Sequence, residues 1–148
     1  MDKIEQKVIL WSGVLLTTFL ASLLYAMKAK KIDLPECVPY NVAFKNPHFK
    51  QIDSATYELF AVAKMWSFEP SEMTIPAGSD VDIYLTSKDV VHGFLIEKKA
   101  LNMMAVPGAI GKQTVHFENP GVYKIVCHEY CGVGHQNMQA EIIVTEKK

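Results

Sequence analysis

The sequence predicts a mainly β protein, a two-sheet Greek-key β-sandwich carried on one N-terminal transmembrane helix. Three observations lead there. Residues 8–27 carry no charge, and from about residue 56 onward the chain breaks into short segments rich in β-branched and aromatic residues. Turn signals then separate those segments at the spacing of a sandwich or small barrel. A chain of 148 residues has room for one compact domain and an appendage.

The first element is VILWSGVLLTTFLASLLYAM at 8–27. As a helix it spans roughly 30 Å, the thickness of a hydrocarbon core. A cleaved signal peptide would have a shorter apolar region ending in a small-x-small site, and none follows Tyr25. Trp11 and Tyr25 lie near the two ends, where amphipathic rings favour the membrane–water boundary. Lys3 and Lys7 precede the helix, and Lys28, Lys30 and Lys31 follow it. That balance is too even to orient the segment, so orientation is taken from the chemistry downstream. The anchor and its flanks occupy 1–31.

Residues 32–55 hold Pro35, Pro39 and Pro47 without sustained periodicity, which reads as a connector. The domain proper is 56–148. Strands are predicted at 57–65, 80–86, 90–96, 114–118, 122–127 and 140–145, with turns at Pro76-Ala77-Gly78, Pro107-Gly108 and Asn119-Pro120-Gly121. Two facing sheets make a rigid frame, so function is expected in the loops at its ends.

Charge and cysteines narrow the chemistry. The net charge is -1, with 16 acids against 15 basic residues, all of them lysine. No clustered basic surface marks a nucleic-acid partner. Of three cysteines, Cys127 and Cys131 stand close together among histidines, a metal-binding pattern rather than a disulfide framework. Cys37 reads as a free thiol in the connector.

The informative segment is CHEYCGVGHQNM at 127–138. Thiolate, imidazole and thioether together favour copper, whereas hard cations prefer oxygen. Zinc in a closed two-cysteine, two-histidine site is the rival, and Met138 counts against it. A mononuclear blue copper site needs only one cysteine. If Cys127 and Cys131 bridge two ions, each ion needs one histidine and one weak ligand. His135 lies within the motif, and a second histidine must come from elsewhere. His92 in DVVHGF is the leading candidate, ahead of His48, His116 and His128.

These residues, with TSKDVVHGF, the Val106-Pro107-Gly108 turn and NPGVYKIVCHEYCGVGHQNM, closely resemble subunit II of the haem-copper oxidases across residues 57–146. The resemblance implies a cupredoxin-like fold holding the dinuclear copper centre called CuA. It assigns Cys127 and Cys131 as bridging thiolates, His92 and His135 as terminal imidazoles, and Met138 as a weak ligand. Glu129 supplies its main-chain carbonyl, and in many relatives the matching carboxylate also holds magnesium or manganese at the boundary with subunit I. The implied partners are subunit I, further small subunits, membrane lipid, and cytochrome c or a similar donor. The implied location is the cell inner membrane, single-pass, with the copper domain on the periplasmic or external side.

The departures are informative. Common relatives have two helices before the copper domain; one helix is similar to the short subunit II of B-family, ba-type oxidases. The aromatic W-x-W segment of many relatives is matched by Lys64-Met65-Trp66, so their electron-entry route is not carried over. The arginine that often follows the Pro-Gly turn is Ala109.

By this resemblance the chain is the electron-entry subunit of a terminal oxidase, passing single electrons to a haem in subunit I, where oxygen is reduced to water. The copper domain of a nitrous oxide reductase carries a similar motif but accompanies a large catalytic domain. A membrane-tethered copper chaperone or sensor and a zinc-stabilised interaction domain are the alternatives of other classes. The apolar run of Leu101, Met103, Met104, Ala105 and Val106 is expected to offer the donor a docking patch beside the copper loops.

Overall fold

The uncharged stretch lies inside a longer helix, α1, which spans Lys3–Lys30. Asp2 closes its first turn: Oδ1 accepts from the N–H groups of Ile4 at 2.7 Å and Glu5 at 2.8 Å, while the Glu5 carboxylate accepts from Asp2 N–H at 2.8 Å. This is a capping box. Lys28 and Lys30 in the last turn complement the helix dipole. Inside the helix, Thr17, Thr18 and Ser22 donate their hydroxyls to carbonyls one turn back, which satisfies the polar atoms an apolar surrounding would penalise. No residue of α1 is buried, and its length and composition suffice to cross a membrane.

The computed structural model describes residues 2–30, 36–38 and 46–147, and of Cys37 and Val38 the backbone alone. The chain divides into Met1–Asp33 and Leu34–Lys148. The second unit is a sandwich of β1 (Glu36–Val38), β2 (His48–Gln51), β3 (Thr56–Lys64), β4 (Ser67–Glu69), β5 (Glu72–Pro76), β6 (Ser79–Ser87), β7 (His92–Ile96), β8 (Leu101–Ala105), β9 (Ile110–Phe117), β10 (Gly121–Val126) and β11 (Gln139–Thr145). One sheet has the order β1-β9-β6-β3-β2, with β4 also paired to β3; the other runs β5-β11-β10-β7-β8. β3 pairs parallel with β6 and β5 parallel with β11, and the remaining pairs are antiparallel. Two parallel pairs among antiparallel neighbours arise because the chain crosses between sheets, as a Greek key requires.

Alternation sets the core. In β6 every second residue is buried, bringing Val81, Ile83 and Leu85 inward. Ala140, Ile142 and Val144 of β11 face them from the other sheet's inner surface. Phe68 meets Phe94 edge-on at 5.2 Å, and Phe117 meets Tyr123 at 5.1 Å, arrangements that suit the ring quadrupoles. The Val106-Pro107-Gly108 turn puts Gly108 at φ +78 and closes with Ala109 N–H donating to the Val106 carbonyl at 3.2 Å. Only glycine takes that conformation cheaply.

Two expectations change. The connector at 32–55 contains β1 and β2, short strands that join sheet edges through backbone pairing to β9 and β3; so few residues leave no readable side-chain period. Cys37 has its backbone in β1, and its thiol lies outside the described atoms. The apolar run at 101–106 is no surface patch as a whole. It contains β8, in which Leu101, Met103 and Ala105 are buried in the core while Met104 remains exposed, as does Val106 just beyond the strand. Consecutive apolar residues concealed a strand's alternation there.

Candidate metal centre

The motif occupies the connection from β10 to β11. Cys127 follows the last residue of β10 and Met138 precedes the first of β11. Cys127 N–H donates to the Met138 carbonyl at 3.2 Å, closing the loop at its base. Within the loop, His135 N–H bonds to Gly132 O, Asn137 N–H to Gly134 O, and Met138 N–H to His135 O. Those contacts wind His135–Asn137 into a single 3-10 turn, which returns His135 and Met138 toward the two cysteines. The neighbouring strand β7 pairs with β10 through Val126 and Leu95, and its first residue, His92, lies at the same end of the sheet.

The donors converge. The two sulfurs, Cys127 Sγ and Cys131 Sγ, stand 3.8 Å apart, far beyond the roughly 2.05 Å of a disulfide. Cys131 Sγ lies 3.6 Å from His135 Nδ1 and 3.7 Å from Met138 Sδ, and Cys127 Sγ lies 3.2 Å from the carbonyl oxygen of Glu129. His92, Cys127 and Cys131 each offer a ligand atom within 4.8 Å of the others. Cys127, Cys131, Met138 and His92 are buried, His92 completely. His135 is half-buried, with the ring of exposed Tyr130 5.8 Å from it.

His92 supplies the test of whether a metal fits. Its Nε2 is 2.8 Å from Asp89 Oδ1, while its Nδ1 is buried and has no hydrogen-bond partner among the described residues. A buried ring nitrogen without a partner is costly. With Nε2–H donating to the carboxylate, Nδ1 carries a free lone pair, the form in which imidazole binds a metal. Burial alone would raise the Asp89 carboxyl. Hydrogen bonds from His92 and from the N–H groups of Met65 and Val90 outweigh it and hold that group at about 2, so it is a carboxylate at neutral pH. Burial, helped by the adjacent Cys127 thiol and the Asp89 charge, pushes the Cys131 thiol up to about 11. Without a metal that thiol stays protonated. Two thiols, two imidazoles, a thioether and a carbonyl form a soft, copper-selecting set.

The other histidines are engaged elsewhere. His48 stacks on Phe60 at 4.2 Å, and His116 is paired with Asp80 at 2.7 Å. His128 lies across Gly93, where a Cβ would come within 2.6 Å of its ring. The Glu129 carboxylate lies 3.5 Å from His128 Nδ1 and is half exposed. Sequence reasoning missed Asp89, although it stands three residues before His92 in the quoted TSKDVVHGF segment. It also missed the placement of Trp66, whose Nε1–H donates to the Cys131 carbonyl at 3.1 Å.

Comparison with known proteins gives the family and the fold. The family model described as cytochrome c oxidase subunit II, periplasmic domain, matches residues 44–146. A cytochrome c oxidase subunit 2 of Thermus thermophilus is 32% identical over 133 residues, covering 88% of this chain and 98% of that protein. A chain from a cryo-EM structure of a heme-copper terminal oxidase dimer superimposes with a TM-score of 0.82 at 44% identity, covering 97% of this chain and all of that one. The periplasmic domain of subunit II of cytochrome oxidase from Bradyrhizobium japonicum, at 21% identity and a TM-score of 0.57 over 65% of this chain and 88% of that one, shares the fold. The sandwich is therefore a cupredoxin-like domain, and the chain belongs to the cytochrome c oxidase subunit II family, the electron-entry subunits of heme-copper oxidases.

Proposed function

We propose that this chain receives single electrons at a dinuclear copper centre held by Cys127, Cys131, His92, His135, Met138 and the Glu129 carbonyl, and passes them to a haem in subunit I. The observation that carries the reading is the donor count. Six donors gather at one end of the sandwich, two more than a single tetrahedral ion takes. They divide evenly if the cysteines bridge: each of two ions then has both sulfurs, one imidazole and one weak donor. When bound, a copper pair supplies one-electron chemistry with the charge change spread over several atoms.

The chain's contribution is to hold those donors still. His92 stands on a strand with its ring fixed by Asp89. Cys127 is fixed by the end of β10, and Met138 by the bond at the base of the loop. Donors that need not rearrange make electron exchange fast, and a buried site keeps water from the thiolates. A six-donor site with both thiols, His92 and Met138 buried also disfavours a copper chaperone or sensor, which must release its ion.

The same reading extends outward. Helix α1 anchors the chain in the cell inner membrane as a single pass, with the copper domain on the periplasmic side beside subunit I and any further small subunits. The electron donor is cytochrome c or a similar carrier. Glu129 serves twice, its carbonyl turned inward and its half-exposed carboxylate offered to a magnesium or manganese ion, since hard cations take oxygen ligands. Metal analysis of the detergent-purified, copper-loaded chain tests the core of the proposal. Two coppers per chain, resistant to a competing chelator and titrating as one electron, are expected. Saturation at one copper, or rapid loss to the chelator, would contradict it.

A further inference from the structure

The turn between β3 and β4 touches both walls of the metal centre at once. Met65 and Trp66 are the two residues between the paired ends Lys64 and Ser67. Met65 N–H donates to Asp89 Oδ2 at 2.6 Å, and the other oxygen of that carboxylate, Oδ1, holds His92 Nε2 at 2.8 Å. Trp66 reaches the opposite wall, donating its indole N–H to the Cys131 carbonyl. Its ring also lies against the glycines of the ligand loop. A Cβ on Gly134 would fall 2.4 Å from the indole, and one on Gly132 3.1 Å from it, so glycine at Gly134 is what lets the ring approach.

We infer that Met65-Trp66 is a positioning strap which couples the His92 wall to the Cys131 loop, so that the two halves of the metal site are held in register by one surface turn. The inference rests on the proposed ligand set but not on how many ions that set holds. Three features support it. Asp89 is tied to its own segment by Ser87 Oγ and Val90 N–H, and the strap adds a tie from outside that segment. Lys88 N–H donates to the Ala63 carbonyl at 3.0 Å, which joins the end of β3 to the same segment. Finally, Met65 and Trp66 are themselves 47% and 43% exposed, so the turn is fixed by these bonds rather than by burial in the core. Neither residue is a ligand; both act through Asp89, His92 and Cys131.

The test is a double-mutant cycle on the full-length chain, read by the rate of copper loss to a chelator and by the electron paramagnetic resonance spectrum. Trp66→Phe keeps a ring over the glycines but removes the donor. Asp89→Asn keeps an oxygen for His92 while cutting the bond from Met65. Outer-shell changes of this kind typically weaken metal binding about 10- to 100-fold. Each variant should speed copper loss and alter the hyperfine splitting, and the double variant should lose copper much less rapidly than the product of the two single effects, because either change already slackens the same strap. Effects that multiply, as independent sites do, would overturn the coupling. So would variants that melt earlier yet keep the wild-type spectrum and copper-loss rate, since that is the signature of a structural role alone. Thermal unfolding of the metal-free variants separates these cases. The wild-type spectrum reports separately on the number of ions, so failure of the dinuclear reading would be seen without deciding the strap.

Discussion

The two imidazoles of the centre stand in opposite surroundings. His92 is completely buried at the start of an interior strand, one ring nitrogen held by a carboxylate and the other without a hydrogen-bond partner among the described residues. His135 lies half-buried on a three-residue 3-10 turn with exposed Tyr130 beside it. One wall is thus set by the sheet, through contacts distant in sequence, and the other by twelve consecutive residues. A long-range wall is costly to close but rigid once formed, whereas a local loop brings donors together cheaply and keeps one of them near solvent.

This contrast can be broken at four levels. The largest effect is expected from the thiols, which belong to the loop but lie against donors of both walls. Cys131 lies against Cys127, His135 and Met138, so Cys131→Ser should abolish the two-ion centre, and Cys127→Ser should do the same with more residual binding of a single ion; metal analysis distinguishes them. Next come the histidines. His135→Gly should recover copper binding and colour when imidazole is added, because its place opens to the surface. His92→Gly should not, since the position it leaves is completely buried; equal rescue of both would remove the distinction between the walls.

A smaller effect follows from the Cys131 thiol, raised to about 11. Copper needs the thiolate, so binding releases a proton at any pH below that value. Apparent affinity should climb by about tenfold per pH unit from this group alone, up to that value, as measured by chelator competition at several pH values. An affinity independent of pH would show that the thiol is already ionised in the metal-free protein. The smallest change is expected from Met138→Leu. The swap nearly conserves volume and should cost less than about 1.5 kcal/mol of stability. Copper should stay bound with an altered reduction potential, and complete copper loss would make Met138 more than a weak donor.

The same contrast explains what the sequence reveals. Cys127, Cys131, His135 and Met138 are visible from residue types and spacing because they share one loop. His92 needed family resemblance to stand out from His48, His116 and His128, since its partners are long-range. Asp89 was unreadable as a positioning group because an aspartate in a polar turn before a strand ordinarily satisfies its own backbone, which Asp89 also does at Val90. The long strands β3 and β6 were legible from alternation, whereas β1, β2 and β4 are too short to display a period. In β8 the side chains of Met103 and Met104 face opposite ways, a difference that two identical adjacent residues cannot signal.

The central claim is that two ions share the sulfurs of Cys127 and Cys131. Electron paramagnetic resonance of the copper-loaded, detergent-purified chain, enriched in one copper isotope, tests it most directly. One unpaired electron spread equally over two copper nuclei gives a seven-line hyperfine pattern, which is the predicted result. A four-line pattern, the mark of an electron confined to one nucleus, would contradict it.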